Sequence, residues 1–506
     1  MGETMKRHSM FVSVVLVATV LVAAACEDQK APMSKGKNTS TQTSVVVIGS
    51  EIEGVYLARA AVDEGLSVTI LDPRDAPGGQ LIQGQMQFLD EPVDGQHHSL
   101  LQGRVKDLFV KYKKGEIRKA SEFEQNYNSL IKGIALESGI TIVNVERVKD
   151  AGTSSQKIKS ITYRTRDGVE KTITANYWVE NTDFSALASQ LELERIPGIE
   201  TVFGGTKDYM AASMMMKFRQ VDWEKFQAET NRLTKKEIED KFGSTSTVTD
   251  TFTWGFGKVG STYKPSSKDV FLRGLNTINQ RDGEVLINAL LLFNVDPSDK
   301  GSIQRALDLG KSETKQILPH LRKELPGWEQ AEINGFPDYL YIRDYNRYQT
   351  EYVLQASDLM SGKMFWDNVS IGGYPIDLQG TAGHTWGQHT GTPDKYGMPL
   401  RSFIPKGYAN VILAGKNVGA SAVAYGSARI QPNTSLAAEV IGILLGKLKG
   451  DQDLTRLSEA EMKDIHVYLK KKYMINLSDV SGENKLKNLS EDEIKSLIWG
   501  NWYSLS

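Results

Sequence analysis

The stretch Ser44-Val-Val-Val-Ile48-Gly49-Ser50-Glu51-Ile52-Glu53-Gly54, read on to Val68-Thr-Ile-Leu-Asp72, decides the fold. An apolar run over Val45–Ile48 stops at Gly49. A helical pattern follows through Val55, Leu57, Ala58, Ala61 and Val62, and a second apolar run over Val68–Leu71 ends at Asp72. Strand, tight turn, helix and strand, with an acid about 20 residues beyond the turn, is the layout of a dinucleotide-binding βαβ unit. Gly49 lets the chain turn sharply and Gly54 lets the helix approach the strand. The unpaired N–H groups at the helix start face a diphosphate, and Asp72 is placed to accept hydrogen bonds from a ribose. The unit therefore reads as one that carries FAD or NAD. Against this stands Glu51, a charged side chain where the fingerprint has its middle glycine, and with it the reading of an α/β unit that binds nothing.

Working outward, Pro73-Arg74-Asp75-Ala76-Pro77-Gly78-Gly79-Gln80 places a glycine doublet beyond the second strand, where backbone can approach a diphosphate and ribityl chain. Far downstream, Asn410 to Gly442 reads as strand, glycine turn at Gly415, loop and long helix. Here the chain resembles the FAD-dependent oxidoreductase family, of the glucose-inhibited and xanthan-lyase-related type. Gly415, Ser421, Gly426, Arg429 and Pro432 fall on that family's last motif. Tyr341-Ile-Arg343-Asp-Tyr-Asn-Arg347 and Glu351-Tyr352 are similar to a second motif, and Gly373-Tyr374-Pro375-Ile376-Asp377 to a third. The likeness spans roughly residues 44–448 in four separated motifs. It implies FAD, held by Gly49, Ser50, Gly54, Asp72, Arg74, Gly78, Gly79, Gln80, Val148, Gly415, Arg429, Pro432, Asn433 and Thr434. The helix opening at Pro432-Asn433-Thr434 would set its dipole toward the flavin.

The chain departs from the family in several places. Where the family has Asp-Ala-Thr-Gly-Asp, this chain has Glu180-Asn181-Thr182-Asp183-Phe184. The family's cysteines fall at Asn417 and Thr434, and its histidine after the Tyr-Pro motif falls at Gln379. The catalytic candidates are His384, in the glycine-rich loop Gln379–His389, together with Arg429 and Asp377. A loop histidine titrates in a useful range, and Arg429 suits either the flavin or an anionic substrate. Arg343 and Arg347 could clamp a carboxylate or tie structural elements together. His97-His98 carries no metal reading, since neighbours on a strand face opposite ways and no third ligand is visible. Met214-Met215-Met216 reads as a buried strand.

With 60 basic and 62 acidic residues there is no electrostatic case for nucleic acid. Residues 1–26 read as a lipoprotein signal: basic Lys6-Arg7, an apolar run over Phe11–Ala25, then Cys26, the only cysteine of the chain. Acylation of Cys26 would anchor the mature chain to the outer face of a cell membrane. With that thiol acylated, disulfides, redox dithiols and thiolate metal sites are excluded. No second glycine fingerprint appears between residues 186 and 410, which argues against a separate nicotinamide domain.

The expected class is α/β: a Rossmann-like FAD-binding domain with an inserted α+β substrate domain and a small helical C-terminal extension. A tether over 27–43 precedes the first part of the FAD domain at 44–185. The substrate domain takes 186–370, the second FAD part 371–450 and the extension 451–506. Within these, Ser121–Ser138 reads as a helix, Ile140–Val148 as a strand beside the adenine, and Ile158–Thr174 as a hairpin. Two capping boxes, Ser458 with Glu461 and Ser490 with Glu493, open the helices of the extension. The extension is either a partner-binding module or a helical pair docked on the body. Function divides likewise, between a lipid-anchored oxidoreductase taking hydride from a sugar derivative or amine, and a binding protein that keeps the fold without turnover.

Overall fold

The computed structural model describes residues 40–150, 154–449 and 452–498. Cys26 and the tryptophans Trp499 and Trp502 lie outside these residues. The central sheet is built on β1 (Ser40–Ile48), followed by helix α1 (Ile52–Asp63) and strand β2 (Val68–Asp72). Beyond these come β3 (Ala135–Ser138), β4 (Thr141–Lys149), β5 (Gln156–Arg164) and β6 (Glu170–Glu180). The seven-stranded sheet runs β3-β2-β1-β6-β5-β4, with Val411–Leu413 also pairing with β6. Strands β3, β2, β1, β6 and Val411–Leu413 are parallel to their neighbours, whereas β4 and β5 form an antiparallel extension of β6. Both faces of the parallel part are covered, so Val45, Val46, Val47 and Ile48 are all fully buried.

Three elements differ from the sequence reading. The strand β1 begins at Ser40, inside the expected tether, because Ser40–Thr43 pair by backbone with Thr172–Ala175. Ladder pairing requires no apolar side chain, so hydropathy gives no sign of it. The helix expected over Ser121–Ser138 ends at Ile131, and Ala135–Ser138 instead adds the parallel edge strand β3. The second strand of the hairpin does not stop at Thr174 but runs on to Glu180 as one continuous element, β6, which enters the parallel sheet beside β1.

The insertion forms a second, six-stranded sheet in the order Glu332–Ile333, Ala212–Arg219, Val285–Leu292, Val270–Asn279, Phe252–Trp254, Thr247–Val248. Helix Lys300–Glu324 belongs to the same region, capped by Asp299, which accepts from the Gly301 and Ser302 N–H groups. Met214 and Met216 point into this region's core. Met215 lies on the other face of the strand, with Phe88 and Tyr341 against it. That alternation is what a strand demands.

Helix Gln431–Lys447 packs along α1, close enough that a Cβ on Gly442 would strike the Leu57 carbonyl. The C-terminal extension joins the same core through Leu454, Leu457, Met462, Ile465, Leu469 and Ile475. Both capping boxes form: the Ser458 hydroxyl accepts from the Glu461 N–H at 3.3 Å, and the Ser490 hydroxyl from that of Glu493 at 3.3 Å. Among the described residues no helix is long and apolar enough to cross a membrane.

Candidate active site

The tight turn after β1 has the backbone a dinucleotide fingerprint requires. Gly49 has φ +94°, and a Cβ there would meet the Asn181 backbone. Gly54 donates its N–H to Asn181 Oδ1 at 2.8 Å. At the end of β2, Asp72 is fully buried, but its carboxylate is already engaged. It accepts from the Ser50 hydroxyl, from Arg74 Nη2 at 2.9 Å and from the Arg74 N–H at 2.8 Å. Arg74 also pairs with Glu51. Glu51 is the N-cap of α1, yet its side chain leaves the helix uncapped and turns into the crevice. There its carboxylate accepts from the Gln80 N–H at 3.0 Å, and a Cβ on Gly79 would run into it.

A second set of charges lines the same crevice. Asp183 accepts from the Tyr339 hydroxyl at 3.0 Å, lies 4.0 Å from Lys416 Nζ, and is pushed up to about 6 by burial. Lys416 donates to Gln80 Oε1 at 2.7 Å and to the Ile342 carbonyl at 2.5 Å. Glu53 accepts from the Thr434 hydroxyl at 3.1 Å. Burial, reinforced by the negative charge of Glu51, pushes it up to about 7. Asn433 donates to the Ser427 carbonyl at 3.1 Å, and Pro432 lines a cavity of about 30 Å³ shared with Gln80, Tyr341 and Lys416. Gly415, φ +63°, sits against Asn181 and Glu53.

Beyond that narrow passage lies a cavity of about 240 Å³ at the junction with the insertion. Arg273, Arg343 and Arg429 line it. One wall is a hydrogen-bonded chain: Arg273 donates to Gln379 Oε1, Gln379 Nε2 donates to Asp377 Oδ2 at 2.6 Å, and Arg429 Nη2 donates to the same oxygen at 3.2 Å. Gln379, at the position of the family's histidine, thus links Arg273 to the Asp377–Arg429 pair. Arg343 donates to the Ala211 carbonyl and to Ser213 Oγ at 2.9 Å, and lies over the Tyr341 ring at 4.4 Å. Burial lowers it to about 10, and the like charges of Arg429 and Arg273 act the same way. Buried Nε of Arg429 has no hydrogen-bond partner. Half-buried Asp90 shares the cavity and is pushed up to about 6, chiefly by burial, against a hydrogen bond from Tyr374.

Two expected site residues lie elsewhere. His384 is exposed and stacks on Phe203 with centroids 4.6 Å apart. The histidine that reaches the cavity is His389, whose strand pairs with Asp377. Val148 is exposed near the far end of β4. Ile140–Ile142, not Val148, line the cavity of about 770 Å³ beside Arg74 and Asp75. The reason is register: Ser138 pairs with Asp72 and the Gly139 N–H donates to the Arg74 carbonyl at 2.8 Å, so the strand passes β2 at its start. Arg347, which pairs with Asp344, is buried away from the cavity. Sequence reasoning passed over Arg273 and Asp90, which stand in no motif and reach the cavity only through the packing of the insertion.

The sequence profile described as FAD dependent oxidoreductase matches residues 44–451. The chain belongs to that family. FAD is the cofactor this membership assigns to it. Among curated proteins none matches the sequence. Solved structures similar to it include a geranylgeranyl bacteriochlorophyll reductase-like protein from Thermoplasma acidophilum, at 11% identity and TM-score 0.36, covering 86% of this chain and 85% of that one. A p-nitrophenol 4-monooxygenase from Pseudomonas putida matches at 11% identity and TM-score 0.37, covering 86% of each chain.

The backbone of the crevice suits a dinucleotide, and its side chains do not. The donors a diphosphate would use, Arg74 and the Gln80 N–H, are taken by Glu51, and Asp72 is sealed by Ser50 and Arg74. In this arrangement the crevice does not fit FAD.

Proposed function

We propose that this family member is an oxidoreductase whose substrate is a small organic anion seated between Arg273, Arg343 and Arg429. The observation that carries this reading is the imbalance of charge in the 240 Å³ cavity. Three guanidinium groups meet two carboxyl groups, Asp377 and Asp90, and a buried Arg429 N–H has no partner. Buried donors left unpaired favour a ligand that supplies acceptors. Of the two substrate classes drawn from the sequence, a sugar derivative bearing an acid group suits this lining. A protonated amine would face three like charges. Asp90, whose pKa burial pushes up to about 6, is suited in its ionised form to take a substrate proton. We further propose that Cys26 carries a lipid anchor and that the protein works on the extracytoplasmic side of a cell membrane.

The test is thermal stabilisation by small carboxylated sugars. We expect uronic or aldonic acids to raise Tm where the parent neutral sugars do not, and Arg273→Gln to remove most of that shift. Equal shifts with neutral sugars, or an unchanged response in Arg273→Gln, would sink the reading. A second reading, binding without turnover, is favoured by Glu51 and Asp183 in the crevice.

A further inference from the structure

We infer that Glu51 and Asp183 are built-in occupants of the diphosphate seat, so that the cofactor and the protein's own carboxylates compete for the same donors. The inference rests on the family's cofactor and leaves the arginine cavity out.

Three observations converge. Both acids stand at glycine positions of the family pattern, the middle glycine of the fingerprint and the glycine of Asp-Ala-Thr-Gly-Asp. Both are buried, and each faces a cation: Glu51 pairs with Arg74, and Asp183 lies 4.0 Å from Lys416 with its Oδ2 lacking a hydrogen-bond partner. And Glu51 takes the Gln80 N–H, a main-chain donor on the glycine-rich turn that faces the crevice. A carboxylate held by a guanidinium and a main-chain N–H reproduces the contacts of one phosphate group. With Asp72 and Glu53 also present, the crevice holds four carboxyl groups against Arg74 and Lys416 before any ligand arrives. An entering diphosphate would therefore add negative charge to a site that has no spare cation, in a buried setting where screening is weak. Cofactor entry requires Glu51 to leave Arg74.

The experiment is FAD titration by flavin fluorescence quenching against the wild type, Glu51→Gly, Glu51→Gln, Asp183→Gly and the Glu51→Gly/Asp183→Gly double variant. Thermal shifts with inorganic pyrophosphate run in parallel. Glutamine keeps the size of the side chain and removes its charge, so it serves if the glycine variant fails to fold. Removing one carboxylate is expected to tighten FAD about tenfold or more, and removing both to tighten it further. Pyrophosphate should stabilise the double variant and leave the wild type unmoved. The inference is overturned if wild type binds FAD as tightly as the variants, if no variant binds it, or if pyrophosphate stabilises the wild type to the same degree.

Discussion

Arg74 holds the crevice together at the scale of single residues. It is buried between Glu51 and Asp72, both of them less than a few per cent exposed. The neighbouring carboxylates raise its affinity for a proton, and burial opposes them. Replacing it with methionine, which keeps much of the stem, leaves two buried carboxylates without their cation. Removing one partner of such a buried pair costs roughly 3–5 kcal/mol. Arg74→Met should therefore lower the free energy of urea unfolding by about that amount. A loss under about 1 kcal/mol would mean that water reaches the crevice and the pairing is not buried. Much of this site was legible in the sequence. The spacing of Gly49, Gly54 and Asp72 announced the turn, and Glu51 stood out as the residue that did not belong. What it did there was not legible. Its partner lies 23 positions on, and whether a side chain caps its own helix or crosses the crevice is decided by packing, not by spacing.

At the scale of elements, legibility followed the strength of local pattern. The hairpin and the two capped helices of the extension were read from turn and cap chemistry that acts over a few residues. The polar start of β1 and the short β3 were missed, because partners distant in sequence create them. The extension shows what such partners do. His466 is buried, and its Nε2 lies 2.7 Å from the Asn368 carbonyl, tying helix Glu459–Tyr468 to the strand Asn368–Gly372. Burial lowers its pKa below the usual 6.5, opposed by the Asn368 carbonyl and by Asp367. The unfolded chain then binds the proton more readily than the folded one, so stability is full above pH 6.5 and is lost as pH falls below it. Limited proteolysis should cut the extension faster at pH 5 than at pH 8. His466→Gln, which can still donate but does not titrate, should flatten that difference. An unchanged pH dependence in the variant would place the acid sensitivity elsewhere.

For the whole molecule, the proposed lipid anchor at Cys26 can be tested apart from the described fold. The described fold begins at Ser40, and β1 is tied along its length to β2 and β6, so its register is set well downstream of Cys26. Membrane attachment through Cys26 is the proposal to be tested. A single acyl chain binds a membrane only marginally, and stable attachment takes more than one. A diacylated Cys26 satisfies that need. Cys26→Ser should then abolish incorporation of labelled fatty acid and move the protein from the detergent phase to the aqueous phase. The thermal midpoint of the purified chain should stay where it was in the wild type. Continued fatty-acid incorporation by the variant would refute acylation at this residue. A large fall in the midpoint would show instead that the segment before β1 contributes to the fold.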